Sequence, residues 1–232
     1  MLCAQIDTSG RFIAMGLVAD EGLIAAARHP HTKENARNIA VLFREFVERS
    51  GYPLAQLSHI AVGVGPGTFI GTRTGIAFAN GFAISSGIPM VAVGTLHGAA
   101  AGALAKGLLP VCIRSARRHS FYCGIYDSDA EASPKAVTLK IRFEGEVAKA
   151  GLTELAERAT ETAREDRRLH VLTDDRQALE AMAATEPTVG LSFELVSDFV
   201  DMRGMAMLVL DAIRRGDTAD FADALYFRKP VP

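Results

Sequence analysis

Two short segments of the chain combine polar side chains and glycines in a way that could hold a phosphate group. DTSG follows the first apolar run, and VGVGPGTFIGTRTG ends a later apolar run and leads into a helical pattern. Backbone N–H groups of glycine-rich turns and of helix N-termini bind phosphate oxygens. The alternative is a plain β-turn, since Asp, Thr, Ser and Gly are all frequent turn residues. The candidate contacts of a remnant phosphate site are Asp7, Thr8, Ser9, Gly65, Gly67 and Thr68.

The glycine segment departs from two common nucleotide-binding motifs. A Walker loop places Lys and then Ser or Thr after its last glycine, whereas Thr72 and Arg73 follow Gly71. A dinucleotide fingerprint needs an acidic residue about 20 residues further on, but no acidic residue lies between Glu48 and Asp127. We therefore predict that the glycines mainly serve a tight strand-to-helix turn and close helix packing.

The elements that must position these segments follow a regular order. Three apolar runs separated by turn residues predict a meander of strands, and helices then alternate with strands. The layout β-β-β-α-β-α-β-α resembles the ribonuclease-H-like half of the actin, sugar-kinase and Hsp70 superfamily. The second half restarts with a similar pattern. We expect an α/β protein of the actin/Hsp70-like (ASKHA) fold with two ribonuclease-H-like halves, residues 1–103 and 104–232.

Two helical segments in the first half carry apolar or small side chains along one face. In IAVLFREFV the apolar residues follow the i, i+3, i+4, i+7 pattern, and the helix after the glycine segment has a stripe of small residues. Packing inside the same domain is one interpretation, and a docking surface for another subunit is the other. The candidate interface residues are Ile39, Leu42, Phe43, Phe46, Gly75, Ala79, Asn80 and Ala83.

Composition and charge limit the function classes. The formal net charge is -2 with 25 Lys+Arg against 27 Asp+Glu, so the chain lacks the basic excess expected of a protein that binds nucleic acid alone. The three cysteines, Cys3, Cys112 and Cys123, include no CxxC pair, which argues against a disulfide framework and a zinc cluster. No signal peptide and no apolar run of about 18 residues is recognisable. We expect a cytoplasmic protein without a membrane segment, metal or cofactor.

One local basic cluster and one histidine pair have open interpretations. Arg114, Arg117, Arg118 and His119 form the cluster at a strand turn, where it could hold RNA or phosphate or lie in solvent. The HPH sequence at 29–31 could touch a metal, but no third ligand is near in sequence, and solvated loop histidines explain it equally. No two histidines are spaced by four residues on a helix, and no GxSxG elbow is present.

Four segments together resemble the TsaB (YeaZ) family. They are IDTS, VGVGPGTFIGTRTG, SARRHSFYCGIYD and ALYFRKP, against a usual pattern of IDTS, VGxGPGSFTGxRxG, DARRxxxY and PxYLR. The order and spacing agree over most of the chain. The departures are Ile70 in place of Thr, Ser115 in place of Asp, Phe227 in place of Leu, and an unusual first helix beginning HTKENARNIA.

The resemblance implies a role in tRNA modification. The family belongs to the bacterial machinery that forms N6-threonylcarbamoyladenosine at position 37 of tRNAs reading ANN codons. It is similar to TsaD, the subunit that transfers the threonylcarbamoyl group, but is thought not to catalyse. It pairs with TsaD through the helices after the third and fourth strands, an ATPase called TsaE joins them, and a homodimer uses the same surface. tRNA is expected to reach this chain only through the complex.

Two rival activities follow from the same superfamily. One is a small-molecule kinase or ATPase that uses Asp7, Thr8 and the glycine segment, although Asp174 and Asp175 stand where an adenosine-binding loop would lie and would repel a phosphate. The other is a metallopeptidase, since some family members carry a glycoprotease or M22 peptidase label. The His-x-x-x-His pair that TsaD needs for its metal is missing from this sequence.

Overall fold

The computed structural model describes residues 1–116, 120–128, 139–162, 169–184 and 191–225. Short 3-10 turns lie at Leu54–Gln56 and Lys149–Gly151. The strands and helices follow one another as β1 (Cys3–Asp7), β2 (Phe12–Ala19), β3 (Gly22–Pro30), α1 (Lys33–Arg37), α2 (Ile39–Arg49), β4 (His59–Gly63), α3 (Phe69–Ser86), β5 (Met90–Val93), α4 (Thr95–Leu104), β6 (Leu109–Ser115), β7 (Ser120–Ser128), β8 (Leu139–Ala148), α5 (Leu152–Thr162), β9 (Leu169–Thr173), α6 (Arg176–Ala183), β10 (Leu191–Leu195) and α7 (Met202–Arg215).

Two five-stranded sheets repeat one topology. The strand order is β3-β2-β1-β4-β5 in the first sheet and β8-β7-β6-β9-β10 in the second. In each sheet the first three strands pair antiparallel. The fourth strand then pairs parallel with the first strand of that meander, and the fifth pairs parallel with the fourth. A meander followed by parallel strands with helical crossovers is the predicted ribonuclease-H-like pattern, so the α/β fold with two such halves is confirmed.

The helices of the first half differ in detail from the sequence pattern. The expected single helix is divided into α1 and α2 at Asn38, which ends one helix and precedes the next. Thr32 caps α1, because its Oγ1 accepts the Asn35 N–H at 3.1 Å. Helix α3 begins at Phe69, inside the glycine segment, since Thr68 has the extended backbone of an N-cap. The glycine segment is therefore shorter than its sequence suggests.

The last helix returns to the first sheet after the second sheet is complete. Helix α7 buries Met205, Val209 and Leu210 against residues of β1, β2, β4 and β5. It also crosses α4 so closely that a Cβ on Gly204 would overlap with the carbonyl oxygen of Gly98. The division of the chain at residue 103 stays a prediction, and α7 lies with the first sheet although it falls within 104–232.

Candidate functional site

The residues of the predicted phosphate site lie together at one edge of the first sheet. Strands β1 and β4 are parallel neighbours, so the DTSG turn and the glycine segment both start at their carboxyl ends. The Thr68 N–H donates to the Ser9 carbonyl at 2.9 Å, and the Thr8 hydroxyl donates to the Gly71 carbonyl at 2.6 Å. The two segments therefore contact each other directly.

Glycine is required in this segment by the close approach of the two chains. A Cβ on Gly67 would lie 2.5 Å from the Ser9 Cβ, and a Cβ on Gly71 would overlap with the Thr8 carbonyl oxygen. Gly65 has φ +89, a conformation that L side chains rarely adopt. These positions agree with the prediction that the glycines serve a tight turn and close packing.

Asp7 is buried and accepts two hydrogen bonds. Its Oδ1 accepts the Ser9 N–H at 2.7 Å, and its Oδ2 accepts the hydroxyl of Thr95, the first residue of α4, at 2.8 Å. Burial raises the pKa of Asp7, and these hydrogen bonds together with the charge of Arg114 counteract that rise. Without the donors, a carboxylate at this position would carry a large desolvation cost.

The hydroxyl donors of the DTSG turn are all used inside the chain. Thr95 donates its proton to Asp7, so the 3.0 Å contact between the hydroxyls of Ser9 and Thr95 has Ser9 as the donor. Thr8 donates to the Gly71 carbonyl. No side-chain hydroxyl of the turn is left to donate to a phosphate oxygen, which accepts hydrogen bonds and does not give them.

Arg114 fills the cleft between this turn and the second sheet. It is the sixth residue of β6 and only 5% exposed. Its Nη1 donates to the Pro66 carbonyl at 2.7 Å, and its Nη2 donates to the Ser9 carbonyl at 2.8 Å. The sequence analysis placed Arg114 in a basic cluster at a strand turn, where it either lies in solvent or holds RNA or phosphate. For Arg114 these interpretations are wrong, because its side chain is buried and bound to backbone carbonyls. The other members of the cluster, Arg117, Arg118 and His119, lie outside the described residues.

The signal for an inward Arg114 was present but ambiguous. Val111 and Ile113 on β6 face the core of the second sheet, and Cys112 faces α4. Strict alternation places Arg114 on the Cys112 side, toward the first half. A strand-end arginine more often turns into solvent, so alternation alone did not reveal its carbonyl partners.

The predicted interface residues pack mainly into the core of the chain. Phe43 packs edge to face with Phe78 and Phe82, at centroid distances of 5.0 and 5.1 Å. Leu42 is half-buried against the same core. Of the two interpretations of these helix faces, packing inside the same domain agrees with this burial, because the amphipathic face of each helix covers its own sheet, and an interface with another subunit stays a prediction. The buried members are Ile39, Phe43, Phe46, Gly75, Ala79, Asn80 and Ala83.

The outward face of α3 carries exposed apolar residues, whereas the exposed residues of α2 include Arg44, Glu48 and Arg49 besides Val41. On α3 the exposed apolar residues Ile70, Ala77, Gly81 and Ile84 lie along one side of the helix, with Ile70 at 74% and Ile84 at 72% exposure, and the exposed Arg73 lies between the first two. On α2, Val41 is 43% exposed. We use the name outer stripe for five of these residues, Val41, Ile70, Ala77, Gly81 and Ile84. Exposed isoleucines on one side of a helix offer apolar area for burial against a partner.

The described ranges hold neither a cluster of metal-binding side chains nor a membrane-spanning helix. No group of three or more His, Cys, Asp and Glu side chains in the described part of the chain is placed to hold a metal ion. No helix among these residues is both long and apolar enough to cross a membrane. The three cysteines are free and buried.

Comparisons with known proteins agree on one family. Residues 27–163 match the family model described as "TsaD: tRNA N6-adenosine threonylcarbamoyltransferase". The chain is 34% identical over 106 residues to the "tRNA threonylcarbamoyladenosine biosynthesis protein TsaB" of Escherichia coli (strain K12), covering 46% of each. It is 32% identical over 123 residues to the "tRNA N6-adenosine threonylcarbamoyltransferase" of Nitratidesulfovibrio vulgaris (strain DP4), covering 47% of this chain and 33% of the relative. The matches thus span less than half of these curated relatives.

Two solved structures share the fold over almost the whole chain. YeaZ from Pseudomonas aeruginosa aligns with a TM-score of 0.74 at 21% identity, covering 97% of this chain and 99% of that one. A protein from the same organism, described as uncharacterised with similarity to peptidase YEAZ, aligns with a TM-score of 0.78 at 21% identity, covering 98% and 99%. At this identity the likeness concerns the fold alone.

Proposed function

The chain belongs to the TsaD family of the matching model, as one of its TsaB (YeaZ) relatives, and we propose that it is a non-catalytic subunit in the formation of N6-threonylcarbamoyladenosine. The modified nucleoside is the adenosine at position 37 of tRNAs that read ANN codons. In this proposal the chain docks on a TsaD-type protein, a TsaE-like ATPase joins the pair, and tRNA is held by the complex. A chain without its partner pairs with a second copy through the same surface.

The observation that carries the proposal is the outer stripe on α2 and α3. It presents Ile70, Ala77, Gly81 and Ile84 in one line along a helix of 18 residues. Small residues in the middle of the stripe let another helix come close, and an isoleucine at each end supplies apolar area for burial. A specific complex on such a surface would bury about 1,200–2,000 Å² in total.

The contacts in the cleft support the non-catalytic part of the proposal. A kinase or ATPase needs donors and a cation directed at the phosphates of its nucleotide. Here the hydroxyls of Thr8, Ser9 and Thr95 donate to groups of the chain itself, and the guanidinium of Arg114 occupies the space beside them. This arrangement favours a structural role for the remnant phosphate site.

The test is a titration of the purified chain against the TsaD-type protein of the same organism. We expect a dissociation constant in the micromolar range or below, and at least a tenfold loss for Ile84→Arg and for Ala77→Arg, because each places a charge in the apolar contact. The matched control is Ile141→Arg, which changes an isoleucine that is 51% exposed on β8 of the second sheet. It should bind like the unchanged chain.

Substitutions at the buried residues would not make a clean test. Ala79 is fully buried, so Ala79→Arg would disrupt the core whether or not α3 touches a partner. Equal binding by both outer-stripe variants would reject this docking surface. Absence of binding by the unchanged chain, together with turnover of a nucleotide, would reject the proposed function itself.

A further inference from the structure

We propose that the cleft at the end of β1 is a guanidinium site, built from the turn and the glycine segment and occupied by the chain's own Arg114. This goes beyond a docking role, because it assigns a ligand chemistry to the remnant phosphate site and a bridging task to Arg114. The bridge joins the two sheets without any bound nucleotide.

Three oxygen atoms that accept hydrogen bonds surround the guanidinium group of Arg114. Two backbone carbonyl oxygens, of Pro66 and Ser9, accept from different Nη atoms at 2.7 and 2.8 Å, and the Ser9 hydroxyl oxygen lies 3.3 Å from Nη1. All three are acceptors on the first half of the chain. A planar fork of N–H donors fits two separated carbonyls, whereas an ammonium group is a single point donor.

The negative charge of Asp7 is connected to these acceptors through two hydroxyl groups. The Ser9 hydroxyl accepts from Arg114 and donates to Thr95, and Thr95 donates to the carboxylate of Asp7. Each hydroxyl is therefore oriented with its oxygen toward the cation and its proton toward the anion. The relay lets the buried charges of Arg114 and Asp7 stabilise each other without direct contact.

Hydrogen bonds of the neighbouring residue hold the backbone that carries Arg114 in place. The next residue, Ser115, donates its N–H to Asp174 Oδ1 at 2.7 Å and its hydroxyl to Asp175 Oδ2 at 3.3 Å. The aromatic ring of Phe199 lies 5.9 Å from the guanidinium carbon and is buried. Asp174 and Asp175, which the sequence analysis expected to repel a phosphate, thus anchor the end of β6.

A phosphate would meet the wrong partners in this place. The carbonyls of Pro66 and Ser9 would face its oxygens, the carboxylate of Asp7 lies behind them, and like charges repel. Removing Arg114 therefore leaves a hole that a cation with the same shape fills, and not a nucleotide pocket.

The experiment is chemical rescue of Arg114→Ala in the isolated chain. We expect its melting temperature to fall by about 5–10 °C, since buried acceptors lose their charged donor. Guanidinium chloride at 10–50 mM (roughly a hundredfold below denaturing concentrations) should restore about half of that loss or more. The same concentrations should not raise the melting temperature of the unchanged chain.

Two controls separate recognition from general effects of solute or salt. Urea has nearly the shape of guanidinium without the charge, and sodium chloride supplies the ionic strength; neither should rescue the variant. Arg114→Lys should lie between the variant and the unchanged chain and gain nothing from guanidinium, because the ammonium group blocks the cleft. If Arg114→Ala is insoluble, refolding from urea should give folded chain with guanidinium and none without it.

The outcomes that overturn the proposal are equally definite. Rescue by urea or salt to the same extent would leave no guanidinium recognition. If guanidinium neither stabilises Arg114→Ala nor helps it to refold, Arg114 contributes through packing alone and the cleft does not recognise guanidinium. Stabilisation of Arg114→Ala by ADP or inorganic phosphate would show that the cleft is a phosphate site after all. None of these results depends on a partner protein, so they leave the docking proposal untouched.

Discussion

The side-chain amide of Asn80 on α3 makes both hydrogen bonds with the backbone of Ala222 that a neighbouring β-strand would make. Its Nδ2 donates to the Ala222 carbonyl at 3.0 Å, and its Oδ1 accepts the Ala222 N–H at 2.9 Å. Both residues are buried. Three residues earlier, Ala219 pairs with Met90 of β5 through two backbone hydrogen bonds of 2.9 Å. The segment that follows α7 is therefore tied to α3 by the Asn80 side chain and to the first sheet by its own backbone.

Replacing this amide should destabilise the chain strongly. Asn80→Ala leaves a buried N–H and a buried carbonyl without partners, and each such group costs about 1–3 kcal/mol. We expect the free energy of unfolding, measured by urea denaturation, to fall by about 2 kcal/mol or more. The control is Ser85→Ala, since the Ser85 hydroxyl on the exposed face of α3 donates only to the Phe82 carbonyl. A loss below about 0.5 kcal/mol in Asn80→Ala, the range of ordinary surface changes, would contradict the pairing.

The same substitution at two glycines of α3 should have opposite effects. A Cβ on Gly71 would overlap with the Thr8 carbonyl oxygen and with the Thr68 hydroxyl, so Gly71→Ala must push the turn and the helix apart. A Cβ on Gly81 meets nothing within 4 Å. In an exposed helix interior, alanine is more stable than glycine by about 0.5–1 kcal/mol.

Thermal unfolding of the two variants measures the difference directly. Gly81→Ala should melt about 1–4 °C higher than the unchanged chain, and Gly71→Ala should melt well below it or fail to fold. The comparison needs no further control, because residue type, helix and added atom are identical. Similar shifts in both variants would mean that the turn does not approach α3 as closely as described.

Sequence patterns predicted the framework of the fold because each half repeats a regular alternation. The short run before DTSG and the run before the glycine segment were both apolar and bounded by turns, which is enough to identify buried strands. Parallel pairing of β1 and β4 then brought Asp7 and Gly67 to one edge. The return of α7 to the first sheet was not predictable, since an amphipathic pattern gives a helix an inner face but not the identity of the sheet it covers.

Two features of the site could not be resolved from residue types. The apolar residues of α2 and the small residues of α3 allowed either packing within the domain or docking on a partner, and a helix buries its most regular face within its own domain first. The basic cluster with Arg114 allowed contact with RNA or phosphate or exposure to solvent, whereas the partners of Arg114 are backbone carbonyls that leave no trace in residue types. Ile70 and Ile84 were recognisable only once the inner face of α3 was known.

The last prediction concerns acid and rests on Glu144 of β8. The Glu144 carboxylate accepts from Nε2 of His97 at 2.5 Å and from the Tyr126 hydroxyl at 2.6 Å. Burial alone would raise the pKa of Glu144, but the hydrogen bond and charge of His97 and the hydrogen bond of Tyr126 outweigh it, so this pKa lies below its ordinary value of 4.5. The three side chains link α4 to β7 and β8.

The sign of the pH dependence follows from that direction. A lowered pKa means that the unfolded chain takes up the proton first as the pH falls, so the stabilisation is complete above pH 4.5 and is lost as the pH drops through the folded pKa. Each unit by which the pKa is lowered corresponds to about 1.4 kcal/mol. Glu144→Gln removes this titration. It should therefore lower the free energy of unfolding near pH 7, and the difference from the unchanged chain should shrink steadily below pH 4.5.

Urea denaturation of both chains at several pH values between about 3 and 7 measures this difference. The matched control is Glu154→Gln on α5, where the carboxylate is exposed and pairs with Arg158 four residues later. Such a pair contributes a few tenths of a kcal/mol, so its removal should give a small difference that hardly varies with pH. A Glu144→Gln difference that stays constant or grows toward acid would mean that Glu144 is protonated at least as easily in the folded chain as in the unfolded one. The hydrogen bonds from His97 and Tyr126 would then not outweigh the burial of the carboxylate.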